Sequence, residues 1–400
     1  MKIRSITYFC DGSFPLDGQA MAQAGACLHR ARAALLQAGY EVQTTRAALQ
    51  APSAVPGLAP GQLPDYALAL QAQLALHNID YAGLGPVLLG DAQPFWAALP
   101  DVLAATQRIF TAAEIATRAG GVSLGAIQRA AQVVLRNSQL TADGLGNLRF
   151  AALAGVAPGT PFLPAAFHGG GAPVFAVATE AADLAVKAFT GADSVAHACS
   201  RLVAALELHG AQVQQALAGI PHTFTGIDFS LAPFPEQSVS IGVALEALGV
   251  AAVGSHGTLA AAALVADCVQ HARFLHAGFS GLFLPLLEDQ RLAQRGAEGM
   301  LTVNDLLLYS AVCGTGLDTI PLAGDIAAGE LAAIMLDVAA LALRLGKPLT
   351  ARLMPIPGKR AGDPIEFDFP FFANGSVLAH KRGTLSAALG GTEDFALRAR

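Results

Sequence analysis

The stretch YSAVCGTGLDTIPLAGD, residues 309–325, sets Cys313 beside Gly314, Thr315 and Gly316 and carries Asp318 and Asp325. A cysteine so placed reads in two ways. It is a nucleophile if a nearby cation or helix N-terminus favours thiolate, or a small apolar residue where the chain packs tightly. In PGTPFLPAAFHGGG, residues 158–171, three prolines lead to His168 and then Gly169, Gly170 and Gly171. Glycines let backbone approach a ligand closely, and an imidazole there suits a ligand, acid or base; the other reading is a rigid turn with a hydrogen-bonded histidine. Asp228 and Ser230 end the strand-like run of TGIDFSLAPFPEQS, residues 225–238, where they bind a ligand or cap local amides. GSHGTLAAAALVADCVQ places His256 and Gly257 before a helix opening at Thr258. Its unpaired N–H groups suit an anion, as those of any well-capped helix do. FSGLFLPLLEDQ, residues 279–290, ends in Glu288 and Asp289, which suit proton transfer, a hard metal or a helix cap. Lys359 and Arg360 in PIPGKRAGDP suit a carboxylate or phosphate, or are solvated charge.

Taken as one pocket, these residues divide by role. His168 or Glu288 would move protons, Cys313 would be a nucleophile or a wall, and Asp318 would join them as the fourth catalytic candidate. Gly169, Gly170, Asp228, Ser230, His256, Gly257, Thr258, Gly314, Thr315 and Lys359 would hold a small anionic substrate. A variant has His168, His256 and a carboxylate on a divalent metal, since mixed imidazole and carboxylate ligands suit zinc, iron or manganese. No cofactor is assigned. The GTG of residues 314–316 lacks phosphate-loop spacing and a following lysine, and no GxSxG, HExxH or GxGxxG occurs, so hydrolase, zincin and dinucleotide readings lack their usual signals.

The elements that must position these loops follow from periodicity. Helical patterns run over 17–38, with Asp17 as cap and Gly39 as stop, and over 122–137, 193–216, 258–276 and 326–345, the last stopped by Gly346 and Pro348. Between them lie the strand-like runs IRSITYF, RIFTAAEI, RFAALAGV, FAVATE, HTFTGIDFSL, GLFLPL, LTARLMPI and DPIEFDF. The alternation predicts an α/β fold with a mostly parallel sheet, open or closed into a barrel. The 400 residues are read as one large domain, an N-terminal βα segment over 1–50 joining the body through a flexible Pro/Gly-rich stretch at 51–64. Of the chain 53% is hydrophobic and only 14% charged, with a net charge of −6. No basic face interleaved with aromatics supports nucleic-acid binding, and the apolar runs are too interrupted for a membrane span. Five scattered cysteines without a CxxC pair read as free thiols in a reducing compartment, the cytoplasm. Alanine-rich, weakly charged helices point to a homo-oligomer.

The ordered motifs NLRFAALAGVAPGTPFLPAAFH, GIDFSLAP, VGSHGTLAAAAL, GFSGLFLPLLED, SAVCGTGLDTIPLAGD and KPLTARLMPIPGKRAGDPIEF resemble those of the UPF0210 family, also called DUF711, over essentially the whole chain. The resemblance implies an α/β barrel of about ten strands, like that of the pyruvate formate-lyase-like glycyl radical enzymes. There a loop threads the barrel and carries a cysteine, a role that would fall to AVCGTG and Cys313. The tail HKRGTLSAALGGTEDFALRAR lacks the RVxG radical motif of those enzymes, so radical chemistry is not expected. The family has no established activity; its association with small ACT-domain proteins suggests a metabolic or regulatory partner. Two readings follow: a non-radical enzyme acting on a small anionic metabolite at the barrel mouth, or a non-catalytic metabolite-binding protein working with an ACT-domain partner.

Overall fold

The computed structural model describes residues 1–399. Strands β1 (Lys2–Phe9), β2 (Val42–Ala48), β3 (Tyr81–Val87), β4 (Ile109–Thr117), the short β5 (Gly121–Ser123), β6 (Phe150–Ala154), β7 (Val174–Glu180), β8 (Thr223–Ala232), β9 (Gly316–Ala323) and β10 (Leu349–Ile356) form one large sheet. Its main path runs β8-β7-β1-β2-β3-β4-β6-β10-β9. Strands β1, β2, β3, β4 and β6 are mutually parallel. Antiparallel pairings of β1 with β7 and of β6 with β10 reverse direction on either side, so β7, β8, β9 and β10 run the other way. The extended segment 276–288 meets both outer strands through isolated parallel bridges, His276 to Ile227 of β8 and Pro285 to Asp318 of β9.

One face of this sheet carries the helices. Alternate residues such as Ile6 and Tyr8 of β1, Ala82 and Leu84 of β3, and Leu349, Ala351 and Leu353 of β10 join a single apolar core with them. Helix α1 (Gly18–Gln37) shows why the pattern folds so: Met21, Ala24, Leu28, Ala31 and Leu35 fall on one buried stripe. Asp17 accepts a hydrogen bond from Gln19 N, and Gly39 leaves the helix at φ +88°. Each buried leucine there contributes roughly 1.5–3 kcal/mol. The second face carries small residues, and the proline-rich segment around Phe162–Phe167 packs on it. Leu163 and Ala166 touch Phe9, Ala48 and Ala176, while Ala165 and Phe167 touch Ala112, Ala151 and Leu153. A Cβ on Gly83 would lie 2.8 Å from the Ala166 carbonyl oxygen, so this approach requires glycine.

Several sequence expectations change here. GLFLPL forms no strand of its own; it is part of the extended bridge-making segment. DPIEFDF keeps only the two-residue strand Pro364–Ile365. The helix expected over 258–276 ends at His271, because the chain must turn back to meet β8 at Ile227. Four of the strands β1–β10 were hidden: β2 and β3, whose polar or glycine-rich residues face the second side, the short β5, and β9, which is the LDTIPLA of the cysteine stretch. The 51–64 stretch folds as 3-10 turns at Pro52–Ala54 and Pro60–Gln62, with Val55 and Leu58 in the main core. Among the described residues no helix is long and apolar enough to cross a membrane.

Candidate functional site

On the second face a cavity of about 510 Å³ opens where β1–β4 begin and β10 runs past. Arg4, Arg46, Arg149, Arg352 and Glu288 supply its charge, and Tyr81, Phe110, Phe162, Phe283, Phe369 and Phe371 its aromatic walls. Strict alternation along β1 would send Arg4 to the helix side with Ile6 and Tyr8. A bulge between Ile3 and Ser5 in the pairing with β7 prevents this. The extra residue lets Arg4 reach the cavity while Ser5 bonds the Pro161 carbonyl on the same face. The same device acts on β9. Leu317 pairs with Ala351 and Ile320 with Leu353, so Asp318 and Thr319 together stand opposite Arg352. Thr319 takes φ +47° there, and Asp318 turns away from the apolar side onto the Arg352 guanidinium.

The ion pairs form a chain. Arg4 bonds Glu288; Arg352 Nη2 lies 2.9 Å from Glu288 Oε1 and 2.8 Å from Asp318 Oδ2, and its Nε bonds Asp318 as well. Burial alone would raise the Glu288 pKa, yet Arg4 and Arg352 outweigh it and hold the carboxyl below its ordinary value. Asp318 is pushed up, by burial first and by Glu288 in addition. Arg352 stays firmly charged between the two carboxylates despite its burial.

Arg149 is held differently. Its guanidinium donates to the Leu103 carbonyl at 2.8 Å, at the end of the helix Gln93–Ala105, where a cation offsets the negative end of the helix dipole, and to the carbonyl of Ile109 in β4 at 3.0 Å. Arg46 alone is left over. Its Nε donates to Thr44 Oγ1 at 3.0 Å, and it has no carboxylate partner among the described residues. Burial, and then repulsion from Arg4, lower its pKa to about 9, which leaves it charged at neutral pH.

Of the residues expected from sequence, this cavity takes Glu288 in its lining and Asp318 one contact behind, through Arg352. Asp289 turns away from Glu288 and caps helix α9 (Gln290–Ala297), accepting from Arg291 N and Leu292 N, and also binds the start of helix α7 (Ile241–Ala247) at Ile241 N. His168, Gly169 and Gly170 line a second cavity of about 540 Å³ with Asp11 and Gln50, beyond the ends of β1–β3. His168 Nε2 lies 3.5 Å from Asp11 Oδ1. One segment serves both cavities, Phe162 and Leu163 lining the first and Phe167 to Gly170 the second.

The remaining candidates lie elsewhere. Asp228 is buried under 276–288, accepting from Ser230 Oγ, Phe279 N at 2.7 Å and Ser280 N at 3.0 Å. Burial raises its pKa to about 6 against those bonds. Cys313 is fully buried in the helix-side core, its Sγ 3.4 Å from Gly316 N. Gly314 donates to the Leu282 carbonyl at 2.7 Å, with its Cα packed against Gly281, and the Thr315 carbonyl accepts from Thr350. The cysteine stretch is therefore a close-packed backbone contact. The loop on the second face is that of Phe162–His168, in place of the AVCGTG expected from the resemblance. His256 and Gly257 are exposed, Thr258 bonds locally to the Ser255 carbonyl, and Lys359 lines neither cavity. Among the described residues no group of three or more His, Cys, Asp and Glu forms a metal cluster, so His168 and His256 do not meet on one ion. The arginines were missed because attention went to loops after strands. Their signal was a guanidinium inside an otherwise apolar strand, as in LTARLMPI.

Residues 1–374 match the family model described as "Uncharacterised ACR (DUF711)". A UPF0210 protein of Pyrobaculum arsenaticum is 35% identical over 283 residues, covering 66% of this chain and 61% of that protein. One from Pyrobaculum islandicum is 36% identical over 310 residues, covering 72% of this chain and 67% of the relative. One from Pelotomaculum thermopropionicum is 32% identical over 331 residues, 77% of this chain and 72% of the relative. The matched stretch thus spans less than two thirds of the Pyrobaculum arsenaticum protein's length. With this match running from the first strand through the cavity-lining phenylalanines, the chain belongs to the UPF0210 (DUF711) family.

Proposed function

We propose that the chain binds a small anionic metabolite in the arginine- and phenylalanine-lined cavity. The observation that carries this reading is Arg46, a charged guanidinium facing an aromatic-walled cavity with a single hydrogen bond of its own. A half-buried charge without an ionic partner is costly, and an anion is the group that relieves it. The cavity also has the size of a small-molecule site. Glu288 is engaged by Arg4 and Arg352, which suits charge balance better than proton transfer, so binding rather than catalysis is the favoured role. Closure of the sheet into a ring belongs to the same proposal, and the bridges of 276–288 to β8 and β9 support it.

The test is calorimetric titration and thermal shift with a panel of small carboxylates and phosphates. Members that bind should raise the melting temperature of the wild type, since a ligand of the folded state alone must do so. Arg46→Gln should lose at least tenfold in affinity, about 1.4 kcal/mol. Equal stabilisation of wild type and Arg46→Gln by the same compounds would sink the assignment.

A further inference from the structure

Resting on that reading, we infer that the ligand is a monocarboxylate with an apolar, aromatic-sized body, rather than a dianion such as a phosphate monoester or dicarboxylate. The argument starts from the charges that meet in the cavity. Arg4, Arg46 and Arg352 face Glu288 and Asp318, and every ion pair in that chain belongs to Arg4 or Arg352. The charge of Arg149 is turned onto the Leu103 and Ile109 carbonyls. Glu180 lies behind Gln43, which donates to it, in a separate cleft with Lys2 and Lys187. Arg46 and Arg149 are therefore the two guanidiniums of the cavity without a carboxylate, and of these only Arg46 leaves both terminal amino groups without a protein acceptor. A guanidinium whose Nε is taken by Thr44 still offers two terminal amino groups, the fork that holds one carboxylate bidentately.

A second negative charge on the same headgroup would find no second fork, since the Arg149 amino groups are already engaged by the Leu103 and Ile109 carbonyls. It would enter a cavity that Glu288 already lines, at the low effective dielectric where like charges repel strongly. The rest of the ligand is fixed by the walls. Phe162 and Phe283 meet edge to face with ring centroids 5.3 Å apart and Tyr81 and Phe110 at 5.6 Å, while Phe369 and Phe371 are tilted at 48° with centroids 5.3 Å apart. Three such pairs around one cavity offer ring faces and edges to an aromatic or branched aliphatic body, while Gln43, Thr44, Thr106, Gln107 and Thr141 are its uncharged polar lining.

Four probes test this on the full chain by calorimetry: 3-phenylpropanoate, 3-phenylpropanamide, benzylmalonate and 2-phenylethylphosphonate at a pH where the last is dianionic. The expected order puts 3-phenylpropanoate first. The amide should bind at least tenfold more weakly, and the two dianions about tenfold more weakly still than the monocarboxylate. Acetate, which lacks the body, should not bind measurably. Arg46→Lys, which keeps the charge without the fork, should retain the preference for one charge over two at reduced affinity. Benzylmalonate or the phosphonate binding as tightly as 3-phenylpropanoate, with loss in Arg46→Gln, would overturn this inference and leave the anion site standing. Binding of all probes unaffected by Arg46→Gln, or of none, would overturn both.

Discussion

Arg46 carries a stability cost in the absence of ligand. Burial and the neighbouring Arg4 hold its pKa near 9, below the ordinary arginine range. Below about pH 9 the folded and unfolded chains both bind this proton, and the folded state bears the whole penalty. Above it the folded protein releases a proton that the unfolded chain still holds, so stability from this group rises with pH. Replacing Arg46 by methionine should therefore stabilise the ligand-free protein by on the order of 1 kcal/mol at pH 7, discounted for the water that reaches the cavity. The gain should shrink as the pH passes 9. Urea denaturation of both proteins at pH 7 and pH 10 measures this, and a methionine variant less stable at pH 7 would contradict it. Arg46 was present in the sequence without a signal of spacing, because among the described residues it has no carboxylate partner. Cys313, the residue the sequence advertises most, proves to be a packing residue for an equally plain reason: glycines admit a second backbone, here Gly281, as readily as a ligand.

At the scale of elements, the segment 276–288 is held to β8 by Ala277 N and Ser280 Oγ on the Ile227 carbonyl and by the Asp228 carboxylate. Asp228 accepts two of its backbone N–H groups, and Gly278 is indispensable beneath it, since a Cβ there would lie 2.0 Å from Asp228 Oδ2 at φ +60°. Removing the acceptor in Asp228→Ala strands buried donors, at about 1–3 kcal/mol each. The expected readout is faster amide hydrogen exchange at Phe279 and Ser280 with β1 and β2 unchanged. Unaltered protection at those amides would show that other contacts hold the segment. Five helices and most strands of the fold were legible from periodicity, whereas Leu63–Leu76, Gln93–Ala105 and four shorter helices were not. The bulges at Ile3/Ser5 and at Asp318/Thr319 were not, because one inserted residue reverses which face a side chain takes, and alternation in the sequence cannot register it. The cavity's charges depend on those two insertions, so the site was less legible than the fold around it.

For the whole molecule, the two strand directions explain why loops gathered by one rule separate into two places. Strands β1–β3 end near His168 and Asp11, whereas β10, running the other way, carries Arg352 to the opposite cavity. Between them the Leu163–Phe167 stretch packs against the small residues of five strands. Gly83→Val should push this stretch off the sheet, since even a Cβ meets the Ala166 carbonyl, at a cost of about 1–3 kcal/mol. It should also weaken 3-phenylpropanoate binding through Leu163. A melting temperature and affinity equal to wild type would mean the stretch yields without consequence. The Leu163–Phe167 stretch stands between the two cavities, with Leu163 in the wall of the arginine cavity and Phe167 in the wall of the histidine one. Whatever fills either end therefore presses on the same short run of chain that borders the other.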